Sequence, residues 1–253
     1  MELHRKTIIV TGASSGIGAA AALLFAAEGA NLVLGARRGI ELEEIAAEIN
    51  DGGLGAAVAL SGDIKDETYA QALVALALAR FGHLDGAFNN AGIVGEMLPA
   101  ADMALTAWNE VIAVNLTSAF LAAKAQIPVM KKQGSGSIVF TSSFVGFSNG
   151  GLPGMGAYAA SKAGQIGLMR ALASEHAADG IRINALLPGG TITPAGGEGN
   201  AAVLDFVANL HPMKRMAEAR EIAQTAMFLL SDRSSFVTGS PTLTDGGMSV
   251  RLS

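Results

Sequence analysis

Thr7-Ile8-Ile9-Val10-Thr11-Gly12-Ala13-Ser14-Ser15-Gly16-Ile17-Gly18 is the stretch whose reading decides the fold. A short apolar run suited to a buried strand enters a glycine-rich turn. It leaves into an alanine-rich segment that reads as helix from Gly16 to about Glu28. Glycines here let the backbone turn tightly and approach a pyrophosphate, which then rests at the N-terminus of the following helix. The turn offers Gly12, Ser14, Ser15, Gly16, Ile17 and Gly18 for that purpose. Its spacing is Gly-x-x-x-Gly-x-Gly rather than the commoner Gly-x-Gly-x-x-Gly. In a chain with 32 glycines such a turn alone says little. Placed between the first strand and the first helix of an alternating chain, it says much more.

Outward from this turn the alternation continues. Asn31–Leu34 reads as a second strand and Glu41 to about Asn50 as a second helix. Ala56–Leu60 and Gly86–Asn89 read as strands three and four, with a helix from Glu67 to about Phe81 between them. One long helix is expected from about Leu105 to Lys132, followed by a strand at Ser137–Thr141. Ala157 to about Ala178 reads as helix, Ile181–Leu187 as strand and Glu218 to about Ser231 as helix. Thr242–Thr244 reads as a closing strand. Strands apolar throughout, each followed by a helix, imply a parallel sheet covered on both faces. The fold class is therefore α/β, a single-domain Rossmann-type doubly wound parallel sheet. The glycine-rich segment from Gly189 reads as a mobile substrate loop, near residues 189–215.

Composition removes whole classes of function. The 253 residues are half apolar and only 15% charged, which suits a packed globular enzyme better than a disordered or polyelectrolyte chain. A net charge of −5, with no basic run longer than two, argues against nucleic acid as a partner. With no cysteine there are no disulfides, zinc-thiolate sites or cysteine nucleophiles. His4, His83, His176 and His211 match no metal-ligand spacing, so no metal is expected. No uninterrupted apolar stretch approaches ~20 residues, so no membrane span is expected and a cytoplasmic location is the default.

Two features give the chain its chemistry. A dinucleotide site of NAD type has an acid at the end of the second strand to bind the ribose 2′-hydroxyl. Here Ala36-Arg37-Arg38 stands there, with no acid before Glu41. Arginines suit a 2′-phosphate and a carboxylate would repel one, so NADPH is the expected cofactor, with NADH possible. Arg37 is the preferred anchor, Arg38 its neighbour and Ser14 a neutral helper; two solvent-facing arginines are the plain alternative. Further on, Tyr158-Ala159-Ala160-Ser161-Lys162 sets a phenol and an ammonium four apart, on one face of a helix. A free phenol titrates near pH ~10, and a fixed cation beside it lowers that value. A shift of ~3 units needs ~4 kcal/mol of differential stabilisation. Tyr69, the other tyrosine, has no lysine at helical spacing.

Taken together these residues resemble the short-chain dehydrogenase/reductase family, over nearly the whole length. Thr11–Gly18 is similar to its cofactor turn, and Asn89-Asn90-Ala91-Gly92 to its Asn-Asn-Ala-Gly motif. Asn115 in Val-Asn-Leu falls where that family has an active-site asparagine. Ser142-Ser143-Phe144-Val145-Gly146 resembles the catalytic-serine segment, and the Ser-x-x-Gly register selects Ser143. Tyr158 and Lys162 form the Tyr-x-x-x-Lys signature, and Asp245-Gly246-Gly247 matches the usual C-terminal motif. The resemblance implies that Asp63, with Ile64, lies beside the adenine. It also implies that Asn90, Ala91, Gly92, Pro188, Gly189, Thr191 and Thr193 contact the cofactor along with Tyr158 and Lys162.

The resemblance further implies hydride transfer between a nicotinamide and a carbonyl carbon. Tyr158 would exchange the proton and Ser143 would bind the substrate oxygen. Lys162 would lower the tyrosine pKa and hold the ribose, and Asn115 would position a water chain to Lys162. Plainer roles stay open for two of these: Asn115 as a satisfied core amide, and either serine as a strand-ending turn residue. The pocket wall is expected from Val94, Glu96, Phe144, Val145, Leu152 and Met155, with Leu187 and the 191–210 segment nearby. These mostly apolar residues favour a small or medium hydrophobic ketone or secondary alcohol. Two departures from the family pattern bear on that wall: about two extra residues near Gly150–Gly154, and Gly190 and Pro194 where bulkier or polar residues are common. A 3-oxoacyl carrier-protein reductase, and a cofactor sensor without catalysis, are the rival functions. The family usually forms homotetramers through its two long helices, and this is expected here.

Overall fold

The computed structural model describes residues 1–148, 153–197 and 200–251. In chain order the elements begin with β1 (Thr7–Thr11), α1 (Gly16–Ala27), β2 (Asn31–Ala36), α2 (Gly39–Gly52), β3 (Ala56–Ser61), α3 (Glu67–Phe81) and β4 (Gly86–Asn89). The middle of the chain forms α4 (Leu105–Ile112), α5 (Ser118–Gln133), β5 (Gly136–Thr141), α6 (Gly156–His176) and β6 (Ile181–Pro188). Then come β7 (Thr191–Ile192), α7 (Ala201–Leu210), β8 (Ala217–Glu218), α8 (Ala219–Leu230) and β9 (Pro241–Thr244).

Seven strands form one parallel sheet in the order β3-β2-β1-β4-β5-β6-β9. Alternation along each strand feeds two cores. Ile8 and Val10 of β1 face a cluster with Phe25 of α1, Leu42 of α2 and Ile222 of α8. Ile9 between them faces Leu73 of α3, Ile127 of α5 and Met169 of α6. Because both faces are covered, the strands can be apolar throughout, and β1 is buried at every position. Each large apolar side chain buried in this way contributes about 1.5–3 kcal/mol.

The chain order reverses between β1 and β4, which pair directly with Thr11 beside Asn89. At such a switch point the loops leaving the two strands diverge and open a crevice beyond their C-terminal ends. That crevice is where the site lies.

Two expectations change. The long helix runs from Leu105 to Gln133 as expected, but it is not α-helical throughout: a π-helical turn, Ala113–Thr117, lies between α4 and α5 and carries Asn115. Second, the segment expected as a loop contains structure. Thr191 and Ile192 pair in parallel with Ala217 and Glu218, and α7 lies between them with Asn200 accepting from the Val203 N–H as its N-cap. The glycines on either side of residues 191–194 hid the short strand. Among the described residues, the run Leu105–Gln133 is the one long and apolar enough to cross a membrane. Its Val111, Ala123, Ile127 and Met130 are instead buried in the fold.

Candidate active site

The crevice is a cleft of about 1250 Å3, lined from the β1, β2, β4, β5 and β6 ends and from the 189–216 segment. That exceeds the roughly 300–1,000 Å3 of an ordinary small-molecule site and leaves room for a dinucleotide with a substrate beside it. On the dinucleotide side stand Gly12, Ser14, Ser15, Gly16, Ile17, Arg37, Arg38, Asp63, Ile64, Asn90, Ala91 and Gly92. Pro188, Gly189, Thr191 and Thr193 line it from β6 and beyond.

These residues fit a dinucleotide on three counts. Gly12 has φ +68°, and a Cβ there would stand 3.0 Å from Ala91 Cα, so the turn needs glycine to lie flat against β4. Next, α1 begins at Ser15 with no side-chain cap and no acid in its first turn, which leaves its leading N–H groups for an anion. By contrast α3 starts on Asp66, whose carboxylate accepts from Thr68 N. Lastly, Arg38 donates to Ser14 Oγ at 3.0 Å and Ser15 Oγ at 2.6 Å, so a guanidinium already bridges the turn. It also faces Glu41 at 3.6 Å. Gly18 is not among the cleft-lining residues. A Cβ there would collide with the Gly12 carbonyl, so Gly18 serves the close packing of helix on turn.

Deeper in the cleft, Ser143, Tyr158 and Lys162 come together from the end of β5 and the first turns of α6. The two neighbouring serines separate cleanly. Ser142 turns its hydroxyl away to donate to the Lys162 carbonyl at 2.8 Å. Ser143 stands beside the Tyr158 hydroxyl and accepts from Val145 N at 3.3 Å. Gly146 allows this strand end to press on α6, since a Cβ would lie 2.5 Å from the Lys162 carbonyl carbon. Tyr69 is occupied elsewhere: it donates to the Leu60 carbonyl at 2.6 Å, and burial pushes its pKa up to about 12.

Lys162 differs from expectation. Its ammonium is buried, donates to the Thr141 carbonyl at 2.7 Å and to Gln165 Oε1 at 3.3 Å, and lies 5.6 Å from the Tyr158 ring centre. Burial pushes its pKa down to about 7. Burial likewise holds Tyr158 above the ordinary phenol value, with the Ser143 hydroxyl pulling the other way. In the free protein desolvation is thus the largest influence on both groups, and it penalises the charged form of each.

Asn115 is fully buried, and both its amide hydrogens and its oxygen are hydrogen-bonded. It accepts from Ile93 N, donates to the Ile93 carbonyl and donates to Ser161 Oγ, each at 2.9 Å. Ser161 in turn donates to the Tyr158 carbonyl at 2.7 Å. Asn115 is thus a strut between the loop after β4 and the catalytic turn of α6, and it does not line the cleft. Asn90 is a similar strut, joining β1, β4 and β5 through Thr11 and Thr141.

On the substrate side Val94, Phe144, Val145 and Met155 line the cleft, with Ile93 and Met97. Glu96 does not: it follows Gly95, whose positive φ turns the loop, and its side chain is exposed. Leu187 is buried within β6 and Leu152 lies outside the described residues. Val203, Val207 and Leu210 of α7, with Met216, Met248 and Arg251, complete the wall. The last two carry no sequence signal, because only the fold brings the C-terminal segment here. Gln165 was also missed, although it sits three residues past Lys162 on the same helix face.

Comparison with known proteins agrees with this geometry. A family model described as enoyl-(acyl carrier protein) reductase matches residues 12–249. The chain is 42% identical to a 2,5-dichloro-2,5-cyclohexadiene-1,4-diol dehydrogenase of Sphingobium indicum, covering 97% of this chain and 98% of the relative. It is 38% identical to a cyclohexanol dehydrogenase of an Acinetobacter species, over 97% and 95% of the two chains. The crystal structure of a levodione reductase superposes with a TM-score of 0.94 at 35% identity, covering 99% of this chain and 100% of that one.

Proposed function

Because this chain belongs to the short-chain dehydrogenase/reductase family, and is an oxidoreductase acting on CH–OH and C=O groups, we propose that it is an NADPH-dependent reductase of small to medium hydrophobic ketones. The observation that carries this reading is a single cleft holding both the glycine turn of α1 and the Ser143–Tyr158–Lys162 cluster. A bound nicotinamide dinucleotide supplies the hydride that adds to the carbonyl carbon. Tyr158, kept neutral by burial, donates its proton to the substrate oxygen as charge develops there. Ser143 hydrogen-bonds the same oxygen, an interaction that strengthens toward the transition state. Lys162 holds the nicotinamide ribose, and Asn115 keeps Ile93 and the start of α6 in register around the reacting centre.

The 2′-phosphate preference rests on Arg37 and Arg38 at the cleft wall, with Ala36 where an acid would repel a phosphate. The substrate preference rests on Val94, Met97, Phe144, Met155, Val203 and Val207. Named relatives act on cyclohexanol and a cyclohexadienediol, which narrows the proposal to cyclic ketones and their alcohols. The carrier-protein alternative is weaker. Its basic candidates, Lys131 and Lys132 in the last turn of α5 and Arg170 of α6, are not among the cleft-lining residues, and Lys131 already pairs with Asp179. A sensor without catalysis has no use for the Tyr158 and Ser143 hydroxyls. We also infer a single domain whose 189–215 segment moves over the substrate, a cytoplasmic location, and a homotetramer. The exposed Leu105, Trp108 and Phe120 of α4 and α5 support the last.

Replacing Tyr158 with Phe tests the function. Turnover should fall at least about 10²-fold with cofactor binding intact, as for removal of a general acid; retained turnover would remove the proposal.

A further inference from the structure

We propose that Gln165 is a positioning residue for Lys162, its carboxamide fixing the ammonium between the π-helical turn and the cleft. This rests on reading Tyr158 and Lys162 as the catalytic pair. Residues 158, 162 and 165 are spaced i, i+4, i+7, so Gln165 extends the reactive face of α6 one turn deeper into the fold. Its side chain is 2% exposed. Nε2 donates to the Asn115 carbonyl at 2.7 Å, and Oε1 accepts from Lys162 Nζ at 3.3 Å.

The chemistry of the partners determines which way the amide faces. A carbonyl only accepts and an ammonium only donates, so the nitrogen must meet Asn115 and the oxygen must meet Lys162. Gln165 therefore presents the negative end of a rigid dipole to a cation with almost no water around it. Of the three ammonium hydrogens one goes to Thr141 and one to Gln165, which leaves one for the cleft. An apolar residue of similar volume would fill the space equally well. It would free the Asn115 carbonyl and take one of two acceptors from a buried charge.

The test replaces Gln165 with Met, and separately with Glu, in the otherwise unchanged protein without cofactor. The Lys162 side-chain Cε resonance is followed against pH by NMR, assigned by its loss in Lys162→Met. The wild-type midpoint should lie at about 7. In Gln165→Met it should fall by about one pH unit, because a hydrogen bond to the charged form is lost. In Gln165→Glu it should rise, because the acceptor gains a charge. With substrate and cofactor, kcat of Gln165→Met should drop about tenfold. Midpoints that stay at the wild-type value in the variants would overturn the proposal, and Gln165→Glu alone decides it if the Met variant does not fold. The two claims fail separately. Active Tyr158→Phe with midpoints that still follow residue 165 removes the catalytic reading and keeps the placement of Lys162. Inactive Tyr158→Phe with fixed midpoints does the reverse.

Discussion

The Lys162 ammonium stands 5.6 Å from the centre of the Tyr158 ring and gives a hydrogen to the Thr141 carbonyl at 2.7 Å. Two titratable groups of one helix face are thus held apart and desolvated together. Lys162 is pushed down to about 7 and Tyr158 is held up. The proton therefore resides on the phenol in the free protein, the form that reduction of a carbonyl requires.

This arrangement makes stability depend on pH. Lys162 titrates at about 7 in the folded protein and near its ordinary 10.5 in the unfolded chain. Between those values the unfolded chain binds more protons, so stability rises with pH. Below pH 7 the cost of burying the charge is fully present. Lys162→Met should therefore stabilise the protein most below pH 7, by at most about 5 kcal/mol, less what the freed Thr141 carbonyl costs. The gain should shrink toward pH 10. Thermal unfolding of both proteins at about pH 6 and about pH 9.5 measures it; a gap that widens with pH would contradict the burial of Lys162.

Adjacent serines should fail in different ways. Ser143→Ala removes a hydroxyl beside Tyr158 and should lower kcat by about 10²–10³-fold with KM little changed. Ser142→Ala removes a bond to the Lys162 carbonyl and should cost about 1 kcal/mol of stability with kcat close to wild type. Parallel kinetics and melting curves separate them. A larger loss of kcat at Ser142 would exchange their roles.

The two arginines should likewise differ. Arg37→Ala should raise the KM for NADPH about 10–100-fold and leave NADH unaffected, as expected for losing one charge-assisted contact to a phosphate. Arg38→Ala also releases Ser14 and Ser15 and should weaken both cofactors. Equal losses for both cofactors in Arg37→Ala would mean that it touches no 2′-phosphate.

How far the sequence carries the reading follows from the range of each cause. The sheet was legible because periodicity and turn glycines act locally: Thr7–Thr11, Gly12 and the helix from Gly16 stand where the pattern puts them. Tyr158 and Lys162 were legible because a helix fixes residues four apart. The shift on each was not, because burial depends on what β5 and the loop after β4 bring against α6. Asn115 shows the same limit. Its spacing marks the site, yet only the fold shows its carboxamide satisfied by Ile93 and Ser161. The π-helical turn around it leaves no composition signal. Met248 and Arg251 reach the cleft from the far end of the chain, which no local pattern reports.

The most direct measurement is the initial rate of NADPH oxidation with cyclohexanone and related cyclic ketones and diketones, repeated with NADH. Turnover with NADPH, and little with NADH, is the result expected from a Tyr158-centred cleft that anchors a 2′-phosphate at Arg37. Comparable or faster rates with NADH would contradict the phosphate anchor. No turnover with either cofactor, both bound, would contradict the reductase itself.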